Sequence, residues 1–99
     1  MESLEGGAEM SARFEQVGNA RELVVTNQGP GEAQLLLIEV LDQPIKLRGN
    51  QELGDLHLRK GEEHRMKAFV PWNTPSPVQI KLIWVDSGGE QSRTQIVRL

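Results

Sequence analysis

A chain of 99 residues, 37% hydrophobic and 25% charged, has material for one core and is neither disordered nor fibrous in composition. A net charge of −3 argues against a nucleic-acid binder, whose affinity rests on clustered Lys and Arg. The lack of cysteine rules out disulfides, thiolate zinc sites and cysteine nucleophiles, and it leaves the compartment open.

The opening segment MESLEGGAEM has acids where an export signal needs positive charge and an apolar stretch. Residues 1–11 are therefore expected to form a flexible acidic tail. The longest nearly apolar run, Leu35 to Leu41, is too short to span a bilayer. Short runs rich in Val, Ile, Leu and Thr then follow one another. They predict strands over Ala12–Val17, Glu22–Asn27, Ala33–Leu41, Leu53–Arg59, Glu63–Val70, Val78–Asp86 and Thr94–Leu99, with a minor edge strand near Ile45–Leu47. Turn signals such as Gly18-Asn19, Lys60-Gly61 and Ser87-Gly88-Gly89 separate them. This spacing predicts an all-β fold, a sandwich or barrel of about seven antiparallel strands in a single domain over 12–99.

The turn in VTNQGPGEAQLLLIEV carries two glycines after a β-like run, as a dinucleotide-binding loop would. The third glycine position is Gln34, however, and Pro30 lacks the N–H a phosphate cradle uses. The following run has no polar helical face and soon meets Pro44. These glycines are expected to reverse the chain between two strands.

Three segments, ELVVTNQGPGEAQLLLIEV, LHLRKGEEHRMKAFV and IKLIWVDSGGEQSRTQIVRL, together resemble an immunoglobulin-like or fibronectin type III-like β-sandwich. The Asn-x-Gly-x-Gly-x-Ala pattern from Asn27 to Ala33 and the Lys-Gly-Glu turn from Lys60 to Glu62 are similar to bacterial adhesion-type modules. The resemblance covers about residues 12–99 and implies a two-sheet structural or interaction module. The chain lacks the core cysteines of antibody-type domains and has no tyrosine, unlike fibronectin type III domains, so no binding residue is carried over.

Chemistry is sparsely signalled. His57 and His64 flank Lys60-Gly61. A three-residue turn centred on Gly61 would pair Leu56 with Met66 and Arg59 with Glu63, placing the histidines on opposite faces and away from a shared metal. No G-x-S-x-G, H-E-x-x-H or S-x-x-K pattern occurs, and neither a catalytic residue nor a cofactor or metal site is expected. The charges of Arg59, Lys60, Arg65 and Lys67 are balanced by Glu62 and Glu63 as a solvated surface. Trp72, in VPWNTPSP, is expected to close the end of the core. The alternative is a small-ligand or carbohydrate site at Trp72 and Asn73, with the ring stacking on a sugar.

One feature asks for a partner. The run Ala33–Leu41 is apolar on both sides under simple alternation. Leu36, Ile38 and Val40 form one side, and Leu35, Leu37 and Leu41 form the other, interrupted by Glu39. Val78, Ile80, Leu82 and Trp84 share one face of the next long strand, leaving Ile83 and Val85 opposite. A two-layer sandwich buries one face of each sheet. Leu35, Leu37, Leu41, Ile83 and Val85 are therefore expected to meet a protein partner, most simply a second copy about a twofold axis. Cover from the tail or the Pro44–Gln51 loop is the alternative. The expected function is a non-enzymatic structural or interaction module.

Overall fold

A computed structural model describes residues 7–41, 44–49 and 52–99. Every regular element in them is a strand: β1 (Met10–Val17), β2 (Ala20–Asn27), β3 (Ala33–Leu41), β4 (Lys46–Leu47), β5 (Glu52–Leu58), β6 (Glu63–Phe69), β7 (Val78–Asp86) and β8 (Gly89–Val97). They form two antiparallel four-stranded sheets, in the orders β1-β2-β6-β4 and β5-β3-β7-β8. The count is eight rather than seven because the two-residue β4, at the expected minor edge, pairs with β6.

The bounds of β3 and β7 match the sequence expectation. β1 begins at Met10, inside the segment expected as tail, because the Met10 side chain is fully buried and Ala8 packs against the core. Residues 1–6 of that expected tail, and parts of the Pro44–Gln51 loop, lie outside the described residues. β8 starts at Gly89, since the hairpin with β7 pairs continuously from Asp86 opposite Gly89 to Val78 opposite Val97.

One expected pairing does not form. β5 and β6 are not a hairpin: β5 pairs with β3, while β6 inserts between β2 and β4 in the other sheet. Leu56 therefore lies opposite Leu35, and Met66 opposite Leu23. The Arg59–Glu62 turn is an arch between layers. Its Glu62 N–H donates to the Arg59 carbonyl (3.0 Å), and the Gly61 N–H donates to the Asn27 carbonyl (2.6 Å). In this position β6 bonds along both edges, to β2 and to β4.

Asn27 organises this corner. Its side chain is fully buried, and its Nδ2 donates to the carbonyls of Gly31 and Leu58, each at 2.8 Å. Its Oδ1 accepts from the Gly29 N–H at 2.8 Å. The 28–31 turn is thus built on a buried carboxamide whose hydrogen bonds are made, as burial of a polar group requires. Gly29 has φ +81°, and a Cβ there would stand 2.6 Å from Lys60 Cγ, so glycine is required twice over.

The core draws on both sheets. Met10, Ala12, Leu23, Val25, Met66 and Leu47 face Ala33, Leu35, Ile38, Leu58, Ile80, Leu82 and Trp84. The alternation of β7 places Val78, Ile80, Leu82 and Trp84 inside, as expected. β8 closes one side of the sandwich through its inward polar side chains. Gln95 accepts from the Ala12 N–H (2.9 Å) and donates to the Ala12 carbonyl (3.3 Å), and Arg93 donates to the Met10 carbonyl (3.3 Å). These contacts occupy backbone groups on the open edge of β1, a position that otherwise invites pairing with another chain.

β3 departs from simple alternation. Its register shifts between Leu35 and Leu37 against both neighbours, leaving Leu36 without a partner. A β-bulge of this kind sets two residues against one and reverses the facing of what precedes it. Leu35, expected outside, is consequently fully buried opposite Trp84, while Leu36, expected inside, is half-exposed. From Leu37 onward the expected facing holds: Ile38 is buried and Val40 packs on the core.

Candidate functional site

The outer face of the β5-β3-β7-β8 sheet follows from this register. Leu37 stands opposite Ile83, Gln34 opposite Val85, Glu39 opposite Lys81, and Leu41 opposite Gln79. Leu36, Leu37, Leu41, Ile83 and Val85 are all half-buried and all outside the core cluster. Ile96, opposite Gln79 on β8, is 66% exposed. Of the five side chains expected at a partner surface, Leu37, Leu41, Ile83 and Val85 lie on this face. Leu35 is the correction, since the bulge turns it into the core. Leu36 takes its place, and no alternation count could have found it because the bulge has no local sequence mark. Each described strand belongs to one of the two sheets, so no described element lies over this face.

The outer face of the other sheet is built differently. Val24 points away from the core and is nevertheless fully buried. Its cross-strand neighbours are Arg13 and Arg65. Arg13 binds Glu15 (2.7 Å) and Glu63 (3.2 Å), and Arg65 binds Glu15 (2.9 Å), Glu22 (3.0 Å) and Glu63 (2.9 Å). Hydrogen bonds from Arg13 and Arg65 hold the Glu15 carboxyl below its ordinary range, and those from Arg65 and Arg13 do the same for Glu63. The aliphatic stems of the two arginines roof Val24 while their heads stay in water. This face is closed by its own charges, unlike the apolar face of the opposite sheet.

His57 and His64 belong to different sheets. His57 is exposed, with Nδ1 4.0 Å from Glu32 Oε2. His64 is half-buried, and burial pushes its imidazole below the ordinary value. Among the described residues no three metal-ligating side chains converge. No helix there is long and apolar enough to cross a membrane.

Trp72 does not close the core. It is 96% exposed, as it follows Pro71 in a turn whose Thr74 N–H donates to the Pro71 carbonyl (3.0 Å). Pro71 and the 73–77 segment carry the ring outside the sandwich, whose end is filled instead by Val70 and Leu99 packing on the core. Trp72 borders a cleft of about 370 Å³ together with Gln16, Arg21, Thr74 and Ser76. Asn73 is exposed and does not line it. A second cleft of about 490 Å³ adjoins the first through Asn19, Arg21 and Val70. Lys46, Arg48, Lys67 and Phe69 line it, and Phe69 is 66% exposed. Lys46 and Arg48 are two residues apart, and the pairing of β4 with β6 brings Lys67 beside them.

Comparison with known proteins finds no family model that matches the chain and no curated protein that matches it.

Proposed function

We propose that this chain is a non-enzymatic interaction module of immunoglobulin-like type, which associates with a second copy of itself through the outer face of the β5-β3-β7-β8 sheet. The strand partition supports the immunoglobulin-like part of the reading. Strands one, two and six share one sheet and three, seven and eight the other, which corresponds to the division of that class.

The observation that carries the association is the apolar centre formed by Leu36, Leu37, Ile83 and Val85, over which no described strand lies. Full burial of each such side chain is worth about 1.5–3 kcal/mol, and part of that gain is still open to these residues. A contiguous apolar patch of this kind is a mark of an interaction surface. The adjacent charges favour a second copy as occupant. Glu39 and Lys81 lie side by side on the face, one of each sign. A twofold axis brings the acid of one copy to the base of the other, so the surface complements itself.

The test is solution mass by light scattering, for the parent and for Leu37→Glu combined with Val85→Lys. The parent is expected to be dimeric and the variant monomeric with unchanged β-sheet circular dichroism. A parent that stays monomeric at high micromolar concentration removes the reading.

A further inference from the structure

We infer that the end of the sandwich beside β4 is a binding site for an acidic sugar, one bearing carboxylate or sulfate groups, with Trp72 as its stacking platform. The inference is independent of the association through the opposite sheet.

Four of the eleven Lys and Arg residues, Arg21, Lys46, Arg48 and Lys67, line the 490 Å³ cleft, and among the described residues no Asp or Glu lines either cleft. Elsewhere Arg13, Arg65 and Arg93 are ion-paired. Here no ion pair forms among the described residues. The Arg48 N–H donates to the Lys67 carbonyl (2.8 Å), one step beyond the pairing of Leu47 with Ala68, so the two cations stand opposite each other. Like charges in directly opposed positions destabilise a sheet. On its other side Lys67 faces Glu22, whose carboxylate is already held by Arg65 at 3.0 Å. An anion bound in the cleft would offset this repulsion.

Two further observations concern the neighbouring cleft. Arg21 Nη1 and Thr74 Oγ1 are enclosed and have no hydrogen-bond partner, although Arg21 Nε is held by Gln16 Oε1 at 3.1 Å. Enclosed polar atoms without a protein partner are uncommon in folded proteins. Both residues line the same cleft as Trp72, whose indole is free on nearly its whole surface. An exposed aromatic face beside neutral hydroxyl and amide groups from Gln16, Asn19, Thr74 and Ser76 suits a ring that is apolar on its face and hydroxylated at its edge.

A single-stranded nucleic acid uses cations and aromatic rings too, but along an extended basic groove. Here the cations are confined to one compact cleft, and Glu15, Glu22 and Glu63 occupy the adjoining sheet face. The volumes of 490 and 370 Å³ are those of small-ligand sites. The acidic sugar is the occupant these features favour.

The probes are tetragalacturonate, a heparin-derived tetrasaccharide, neutral cellotetraose and an oligothymidylate, titrated calorimetrically at low salt. Quenching of tryptophan fluorescence is recorded in parallel, because the other tryptophan, Trp84, is buried. At least one acidic sugar is expected to bind at least tenfold more tightly than cellotetraose, with affinity falling as salt rises. Trp72→Ala should weaken it at least tenfold and abolish the quenching. Arg48→Gln with Lys67→Gln should weaken it at least tenfold while leaving the thermal midpoint equal or higher, since a repulsion is removed. The sheet-face variant Leu37→Glu with Val85→Lys should bind as the parent does. The inference is overturned if neither acidic sugar binds at millimolar concentration, if cellotetraose binds equally well, if the oligothymidylate binds more tightly, or if the cleft variants bind like the parent.

Discussion

Replacing Asn27 by Ala removes a side chain that serves three backbone groups at once. The carbonyl of Leu58 and the N–H of Gly29 lose their partners in buried surroundings, and the carbonyl of Gly31 does so in a partly buried one. Orphaning a buried backbone group costs about 1–3 kcal/mol, and losing a more accessible bond about 0.5–1.5 kcal/mol. The sum is about 2.5–7.5 kcal/mol, a large share of the roughly 5–15 kcal/mol that holds a fold of this size together. Denaturant titration, with the slope of the transition held as a check on two-state behaviour, measures it. The isosteric Asn27→Asp refines the test. It keeps the acceptor for Gly29 but turns an oxygen toward two carbonyls, so its folded pKa must rise above the unfolded value of about 3.9. Such a variant is most stable below that value, where the protonated acid can donate to one carbonyl, and it loses stability as the pH rises through the folded pKa. An Asn27→Ala cost below about 1 kcal/mol would refute the reasoning that this carboxamide holds the corner.

Two other outcomes follow from the register and from burial. Leu35→Ala should cost about 2–5 kcal/mol in denaturant unfolding, while Leu37→Ala, two positions away on the open face, should cost the monomer about 1 kcal/mol or less; equal costs would place the bulge elsewhere. In an NMR pH titration His64 should titrate below the ordinary histidine value of 6.5, because burial disfavours its charged form. A folded pKa below the unfolded one means that the neutral form is favoured by folding. Stability is therefore full above the unfolded value and declines as the pH falls from there toward the folded one. A His64 that titrates above 6.5 would contradict the burial of that ring.

Much of the architecture is legible in the residues because local chemistry and tertiary context agree. β7 alternates cleanly from Val78 to Trp84, and its two faces follow without knowledge of any neighbour. The Asn27–Ala33 turn announces itself by Gly29, Pro30 and Gly31, though the burial of Asn27 becomes visible only when Leu58 is brought alongside. The bulge at Leu36 is illegible for a different reason. Leu35, Leu36 and Leu37 are chemically identical, and only the pairing with Trp84 and Ile83 decides which of them turns inward. The arch from β5 to β6 is hidden by turn residues that serve a hairpin equally well. The Arg59–Glu62 turn crosses layers to set β6 between β2 and β4, strands that local chemistry does not bring into view. Trp72 reads as core filler by its size, and its exposure follows from Val70 and Leu99 already filling the end of the core. Arg21, Lys46, Arg48 and Lys67 carry no shared motif, and their convergence is a property of topology alone.

The claim that the open apolar sheet face is an interface between copies is tested most directly by intermolecular contacts. A sample mixing isotope-labelled and unlabelled chains at high micromolar concentration allows filtered NOE measurements between methyl groups of different molecules. Cross-peaks joining Leu37, Ile83 and Val85 of one copy to the same residues of another are the predicted result. A dimeric sample whose only intermolecular contacts come from elsewhere, or a sample with no such contacts at all, would contradict it.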